Sequence, residues 1–172
     1  EIDEKAAKQA KQNFEESSWT ERFRVINDDV KTFAESNKIK YDLILSNPPF
    51  FQGNMLSEVS AKNLARHSTS LSLKELAETA NKLLADNGHF WVLLPQYEAS
   101  LLETILAEFD FNISNQIDVK NYLGDIKISR TINCFSRSSN KLKYSEMAIY
   151  KDKNREYTNE FVELLKEYYL YL

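Results

Sequence analysis

Residues 41–51 read Tyr-Asp-Leu-Ile-Leu-Ser-Asn-Pro-Pro-Phe-Phe. Leu43, Ile44 and Leu45 form a short continuous apolar run, the pattern of a strand buried on both faces of a parallel sheet. Pro48 and Pro49 stop that strand, because neither can donate a ladder hydrogen bond and each forces its predecessor out of the helical region. The product is a stiff extended turn at the carboxyl end of a buried strand, where open α/β sheets place their ligands. Asn47 stands at its start and offers an amide oxygen and two N–H donors without charge. Such a turn suits the gripping of a planar nitrogen nucleophile. The Asn47 side-chain oxygen can accept one N–H of an exocyclic amine or amide, the Pro48 carbonyl the other, and Phe50 can lie against the ring plane. Two acceptors on one NH₂ draw its lone pair out of conjugation and favour attack without a strong base. An ordinary proline-rich turn after a strand is the bland alternative.

Ser46-Asn47-Pro48-Pro49-Phe50 resembles the amino-methyltransferase motif of S-adenosylmethionine-dependent enzymes that methylate exocyclic nitrogens. Glu1-Ile2-Asp3, Asn27-Asp28-Asp29-Val30, Ala65-Arg66-His67 and the closing Tyr157 with Tyr168-Tyr169-Leu170-Tyr171-Leu172 fall in the order and spacing of one subgroup. That subgroup is the bacterial tRNA(Val) adenine-N6 methyltransferases. The resemblance extends over nearly the whole chain, although the Asn-Pro-Pro-Phe motif alone serves several substrate classes. It implies a Rossmann-like class I methyltransferase sheet, S-adenosylmethionine as cofactor and tRNA as partner; the single cysteine, Cys134, points separately to a reducing cytoplasm. The acceptor is then adenine N6 beside the anticodon. A guanine N2 or a protein glutamine N5 remains the alternative, as does an inactive fragment that retains only acceptor binding.

The same resemblance assigns residues. Asn47, Pro48 and Phe50 would hold the reacting amine, and Asn47 would also face the cofactor. Glu1 would end the second strand of the sheet and bind the cofactor ribose hydroxyls; its other reading is a charged terminal residue. Asp29 would accept the exocyclic amine of the cofactor adenine, or cap the helix that follows it, and the two roles are compatible. The first strand and its Gly-rich turn have no counterpart here: the glycines are Gly53, Gly88 and Gly124, with no G-x-G pattern. The expectation is therefore the C-terminal part of a longer domain, one methyltransferase domain over residues 1–172, inactive alone and prone to self-association.

Composition narrows the classes further. The chain has 172 residues, the length of one domain with a real core. Its net charge of −4 provides no general attraction to nucleic acid, so RNA contact needs a local basic patch. A single cysteine, Cys134, excludes a disulfide framework. No run is long and apolar enough to span a membrane, and no metal-ligand cluster stands out.

Along the chain, Ala6, Ala7, Ala10 and Phe14 recur at helical spacing, and residues 22–26 alternate weakly as a short strand before Asn27-Asp28-Asp29. Residues 51–70 are a long connection, suited to a lid beside the acceptor turn. Phe51, Arg66 and His67 in it are candidates for substrate contact. Ser72-Leu73-Lys74-Glu75 is a capping box. The helix it opens has Leu76, Ala80 and Leu83 on its apolar face, and Asn87-Gly88 is the expected left-handed stop. Residues 90–94 are a second buried strand closed by Pro95. A helix through Leu102 and Leu106 follows, then strands in succession, the pattern of an antiparallel far edge. Residues 120–143 carry Lys120, Lys127, Arg130, Arg137, Lys141 and Lys143. They form either an RNA-binding patch, with Lys127 and Arg130 foremost, or a solvated edge. The closing helix, with Phe161, Leu165 and Tyr168, reads as an amphipathic core helix.

Overall fold

The computed structural model of the chain describes residues 1–48, 71–138 and 141–169. These fall into two compact units, Glu1–Lys40 and Tyr41–Leu172.

In the first unit, Asp3 caps helix α1 (Glu4–Glu15) by accepting the Ala6 N–H at 2.8 Å. Ala7 is its buried position, and Phe14 near its end stacks on Phe23 at 4.3 Å between ring centroids. The expected strand over residues 22–26 does not form. Arg22 instead ends a 3-10 turn, Thr20–Arg22. What remains of a ladder is local: the Glu1 amino group donates to the Ile26 carbonyl at 3.0 Å, and the Asp28 N–H donates to the Glu1 carbonyl at 3.1 Å. That is the bond pair of a single parallel bridge. Helix α2 (Val30–Ser36) begins directly after Asp29.

The second unit is built on a five-stranded mixed sheet: β1 (Tyr41–Ser46), β2 (Leu84–Leu94), β3 (Asn112–Tyr122), β4 (Ile128–Ser136) and β5 (Lys143–Tyr150), in the spatial order β1-β2-β4-β3-β5. Strands β1 and β2 run parallel, β4 runs antiparallel to both β2 and β3, and β5 lies parallel to β3. The β3–β4 hairpin is thus folded back so that its second strand enters between β2 and β3. The expected antiparallel far edge is present, but the outermost pair, β3 with β5, is parallel. Helix α3 (Leu73–Leu83) and helix α4 (Gln96–Ala107) supply Leu76, Ala77, Ala80, Leu102 and Leu106 to the core. Phe90, Val92, Leu94 and Phe135 meet them from one face of the sheet. The alternation of those β2 residues fixes which face is covered.

Helix α3 opens with the capping box the sequence announces: the Ser72 hydroxyl accepts the Glu75 N–H at 3.2 Å, while the Glu75 carboxylate accepts the Ser72 N–H at 2.8 Å. Its end differs from expectation. The helix stops at Leu83 with Leu84 already extended, and Gly88 has no positive φ; among the described glycines only Gly124 does. Gly88 serves close approach instead. A Cβ there would stand 2.9 Å from the Tyr41 carbonyl oxygen of β1 and 2.7 Å from Leu84 Cγ. Here the register jumps, because Tyr41 pairs with Leu84 but Leu43 with His89.

Two further expectations change. Strand β1 is covered on one face rather than two: Ile44 packs on the core, whereas Leu43 and Leu45 are 54 % and 71 % exposed. An unbroken apolar run does not by itself reveal how many faces are covered. The closing helix α5 (Asn159–Leu165) has no buried residue, and Tyr168 and Tyr169 are exposed. It rests by Phe161 on Tyr157, which stacks in turn on Tyr150.

Candidate functional site

The acceptor turn is positioned by β1. The Ser46↔Val92 pair is the last of the parallel ladder, and the chain leaves the sheet edge at Asn47. Asn47 is exposed and Pro48 is buried. The exposed Asn47 side chain carries one acceptor and two donors, the groups an incoming amine or amide would need. Buried Pro48 clamps the backbone immediately after it, and the proline ring removes the freedom about φ that a turn of this kind otherwise has. An exposed amide on a clamped backbone can accept from an incoming N–H without first reorganising. The expected partners Phe50, Phe51, Arg66 and His67 lie outside the described residues.

Of the residues expected to meet the cofactor, Glu1 and Asp29 are neighbours within the first unit. The Glu1 backbone bonds to Asp28, the residue before Asp29, and the Asn27 amide donates to the Glu1 carbonyl at 2.9 Å. Glu1 Oε1 accepts the Asp3 N–H at 3.0 Å. Asp29 Oδ1 accepts the Lys31 N–H at 2.8 Å, so the capping role holds, and Oδ2 lies 3.9 Å from Lys31 Nζ. Each carboxylate oxygen has two lone pairs. The cap therefore leaves Asp29 with acceptor capacity for an exocyclic amine, and Glu1 with capacity for hydroxyls. This acceptor set fits a nucleoside: two carboxylates at the ends of adjoining segments suit the O–H and N–H donors of hydroxyls and an amine rather than a phosphate. Among the described residues no cluster of His, Cys, Asp or Glu could hold a metal ion, and no helix is long and apolar enough to cross a membrane.

The basic stretch 120–143 is divided by the fold. Since β3 runs parallel to β1, its carboxyl end and the β3–β4 turn lie at the same sheet edge as Asn47, and this edge holds Lys120, Lys127 and Arg130. Arg137, Lys141 and Lys143 lie at the opposite edge. There Arg137 packs over Phe111, with its guanidinium carbon 4.4 Å from the ring centroid, and donates to the Asn81 side-chain oxygen at 2.7 Å. That is a packing role. Lys141 borders a cavity of about 480 Å³ with Glu103, Phe111 and Ile113, again at the edge away from Asn47. Arg130 donates to its neighbour's carbonyl, Ser129 O, at 2.7 Å, and Lys127 is exposed in the turn.

A polar network near this edge is invisible to sequence reasoning. Asp118, buried on β3, accepts from Thr131 Oγ1 at 3.0 Å and from Gln116 Nε2 at 3.1 Å. The Tyr144 hydroxyl lies 2.6 Å from Glu146 Oε1 and 3.1 Å from Asp118 Oδ2, and can donate to only one of them. Lys120 Nζ donates to Glu146 Oε2 at 2.7 Å. The hydrogen bond to Glu146, then burial and Asp118, hold the Tyr144 phenol well above its ordinary value. Lys120, and after it Tyr144, hold the Glu146 carboxyl below the usual carboxylate range. The network spans β3, β4 and β5 and fixes the base of the β3–β4 hairpin.

The sequence matches the methyltransferase small domain family over residues 1–113. The tRNA1(Val) (adenine(37)-N6)-methyltransferase of Flavobacterium psychrophilum is 34% identical over 170 residues, covering 99% of this chain and 72% of that protein. The enzyme of the same description from Actinobacillus succinogenes is also 34% identical over 170 residues, covering 99% of this chain and 70% of its own length. Among solved structures, one described as a predicted O-methyltransferase from Agrobacterium tumefaciens superposes with a TM-score of 0.66 at 12% identity. That match covers 97% of this chain and 74% of the other, and shows a shared fold.

Proposed function

The chain belongs to the methyltransferase small domain family, and from that premise we propose that it serves S-adenosylmethionine-dependent methylation of an adenine N6 in tRNA. The nucleotide beside the anticodon of tRNA(Val) is the specific target. The observation that carries the reading is 34% identity to tRNA1(Val) adenine-N6 methyltransferases over 99% of the chain, a span that includes the acceptor turn at Asn47. Residues 1–172 are read as belonging to one methyltransferase domain, since the family match runs across both compact units. A tRNA substrate fits a cytoplasmic setting.

Bound S-adenosylmethionine supplies an electrophilic methyl group. Glu1 would hold its ribose hydroxyls and Asp29 its adenine amine. The remaining work falls to the acceptor turn. Asn47 Oδ1 accepts one N–H of the target amine and the Pro48 carbonyl the other, leaving the nitrogen lone pair directed outward. Phe50 covers the base plane, and Phe51, Arg66 and His67 contact the substrate beside it. As the amine becomes a cation in the transition state, its N–H bonds become stronger donors. Acceptors already in place then stabilise the transition state more than the ground state. Lys127 and Arg130 meet phosphates of the same RNA.

The test is product identity. Expressed at its full natural length with methyl-labelled cofactor, the protein should label tRNA, and digestion should release N6-methyladenosine. Label in N2-methylguanosine, or in the protein fraction with none in tRNA, would overturn the proposal.

A further inference from the structure

We propose that the β3–β4 hairpin is an RNA-contacting finger whose apolar tip, Ile126 with Leu123, packs against a nucleobase outside the acceptor pocket. This deepens the tRNA reading above and rests on it. Ile126 is 96% exposed and Leu123 62%. Single exposed aliphatics are common on protein surfaces, but here two share one short turn, and that turn is rigid. Gly124 takes φ +77°, the Asp125 N–H donates to the Tyr122 carbonyl at 3.1 Å, and the Lys127 N–H donates to Asp125 Oδ1 at 3.1 Å. Below the tip, the Leu123 N–H is bonded to the Tyr150 carbonyl at 3.0 Å. The rings of Tyr122, Tyr150, Tyr157 and Phe161 form a continuous tier, with successive centroids 6.2, 5.1 and 5.1 Å apart. The fold therefore fixes an apolar tip in water, where binding incurs little ordering cost.

Position and charge select the occupant. The finger rises from the sheet edge that carries Asn47. β4 is the second strand from β1, and Ile126 lies well beyond Ile132, which shares a row with Leu93. At the usual strand spacing and rise the tip is roughly 20 Å from Asn47. It cannot touch the base being methylated, but it can touch another base of the same RNA. In a chain of net charge −4, residues 120–130 carry Lys120, Lys127 and Arg130 with Asp125; Lys120 is paired with Glu146 at 2.7 Å, so the cations that flank the tip are Lys127 and Arg130. The Asp125 carboxylate is turned inward to the Lys127 N–H. An apolar tip with cations on its flank suits a nucleobase bounded by phosphates, since every base offers an apolar face.

The experiment measures anisotropy of a fluorescein-labelled RNA stem-loop carrying the tRNA(Val) anticodon sequence, titrated with the full chain over a series of salt concentrations. Ile126→Ser should weaken binding about five- to tenfold, the effect of losing a partly buried aliphatic side chain. Ile126→Trp should tighten it about threefold or more, because an aromatic ring stacks better on a base. Neither should alter the salt slope, which counts phosphates. If wild type binds the stem-loop and both variants bind identically, the finger is refuted while the tRNA reading stands. If wild type does not bind RNA at all, both fall. Sedimentation velocity on the same proteins closes the remaining route: loss of a dimer in Ile126→Ser would assign the tip to a second copy of the chain and refute the RNA contact.

Discussion

Replacing Gly88 by alanine should destabilise the Tyr41–Leu172 unit although nothing is removed from the core. In a strand, alanine is ordinarily the better residue by about 0.5–1 kcal/mol, because glycine loses more backbone freedom on folding. Gly88 has an ordinary φ, so no conformational penalty opposes that gain. The added methyl, however, would stand 2.7 and 2.9 Å from Leu84 Cγ and Cδ1 and 2.9 Å from the Tyr41 carbonyl oxygen. Leu84 is only 1% exposed and cannot swing aside, and the Tyr41 oxygen is backbone. Relief must come from moving the start of β1 away from β2. Overpacking of this kind costs about 1–3 kcal/mol; three contacts under 3 Å place Gly88→Ala in the upper part of that range, so after subtracting the gain the net loss should be about 1–2.5 kcal/mol, read as a lower urea midpoint at unchanged slope. Leu84→Ala alone should cost about 2–5 kcal/mol. Combined with Gly88→Ala it should cost less than the two added together, because the truncated side chain frees the space. A Gly88→Ala protein as stable as wild type, or strict additivity in the double variant, would refute the packing argument. Since β1 carries Asn47 at its other end, the same shift should also lower turnover.

Two predictions concern the site itself. Asn47→Ala in the full-length protein should lower turnover by about 10²–10³, by analogy with the loss of one preorganised hydrogen-bonding group. Cofactor affinity measured by calorimetry should change far less, and near-wild-type turnover would remove the role assigned to Asn47. Lys127→Ala with Arg130→Ala should weaken tRNA binding and flatten the log–log salt dependence by roughly one unit for each phosphate no longer neutralised. An unchanged slope would leave these cations as solvated charge only.

What was legible in the sequence was local. The capping box at Ser72, the Asp29 cap and the end of β1 ahead of Pro48 each act through neighbours in the chain, so a handful of residues suffices to recognise them. Failures arose wherever the cause lies across the sheet. The run Leu43–Ile44–Leu45 is equally compatible with one covered face or two, and only the partner strands and helices decide. Asn87-Gly88 carries the residues of a left-handed helix stop, yet the glycine is required by the Tyr41 carbonyl, far upstream in the chain. The basic stretch 120–143 reads as one patch because its charges are close in sequence. A hairpin that spans the sheet sends its turn and its strand ends to opposite edges, and so places Lys120, Lys127 and Arg130 at the acceptor edge and Arg137, engaged in packing, at the other. The separation has a functional consequence. Of the cations in that stretch, those that remain beside the acceptor edge include Lys120, which is held by Glu146 at 2.7 Å. Electrostatic attraction there is accordingly modest, and a rigid apolar tip beside Lys127 and Arg130 would supply contact area that charge alone does not.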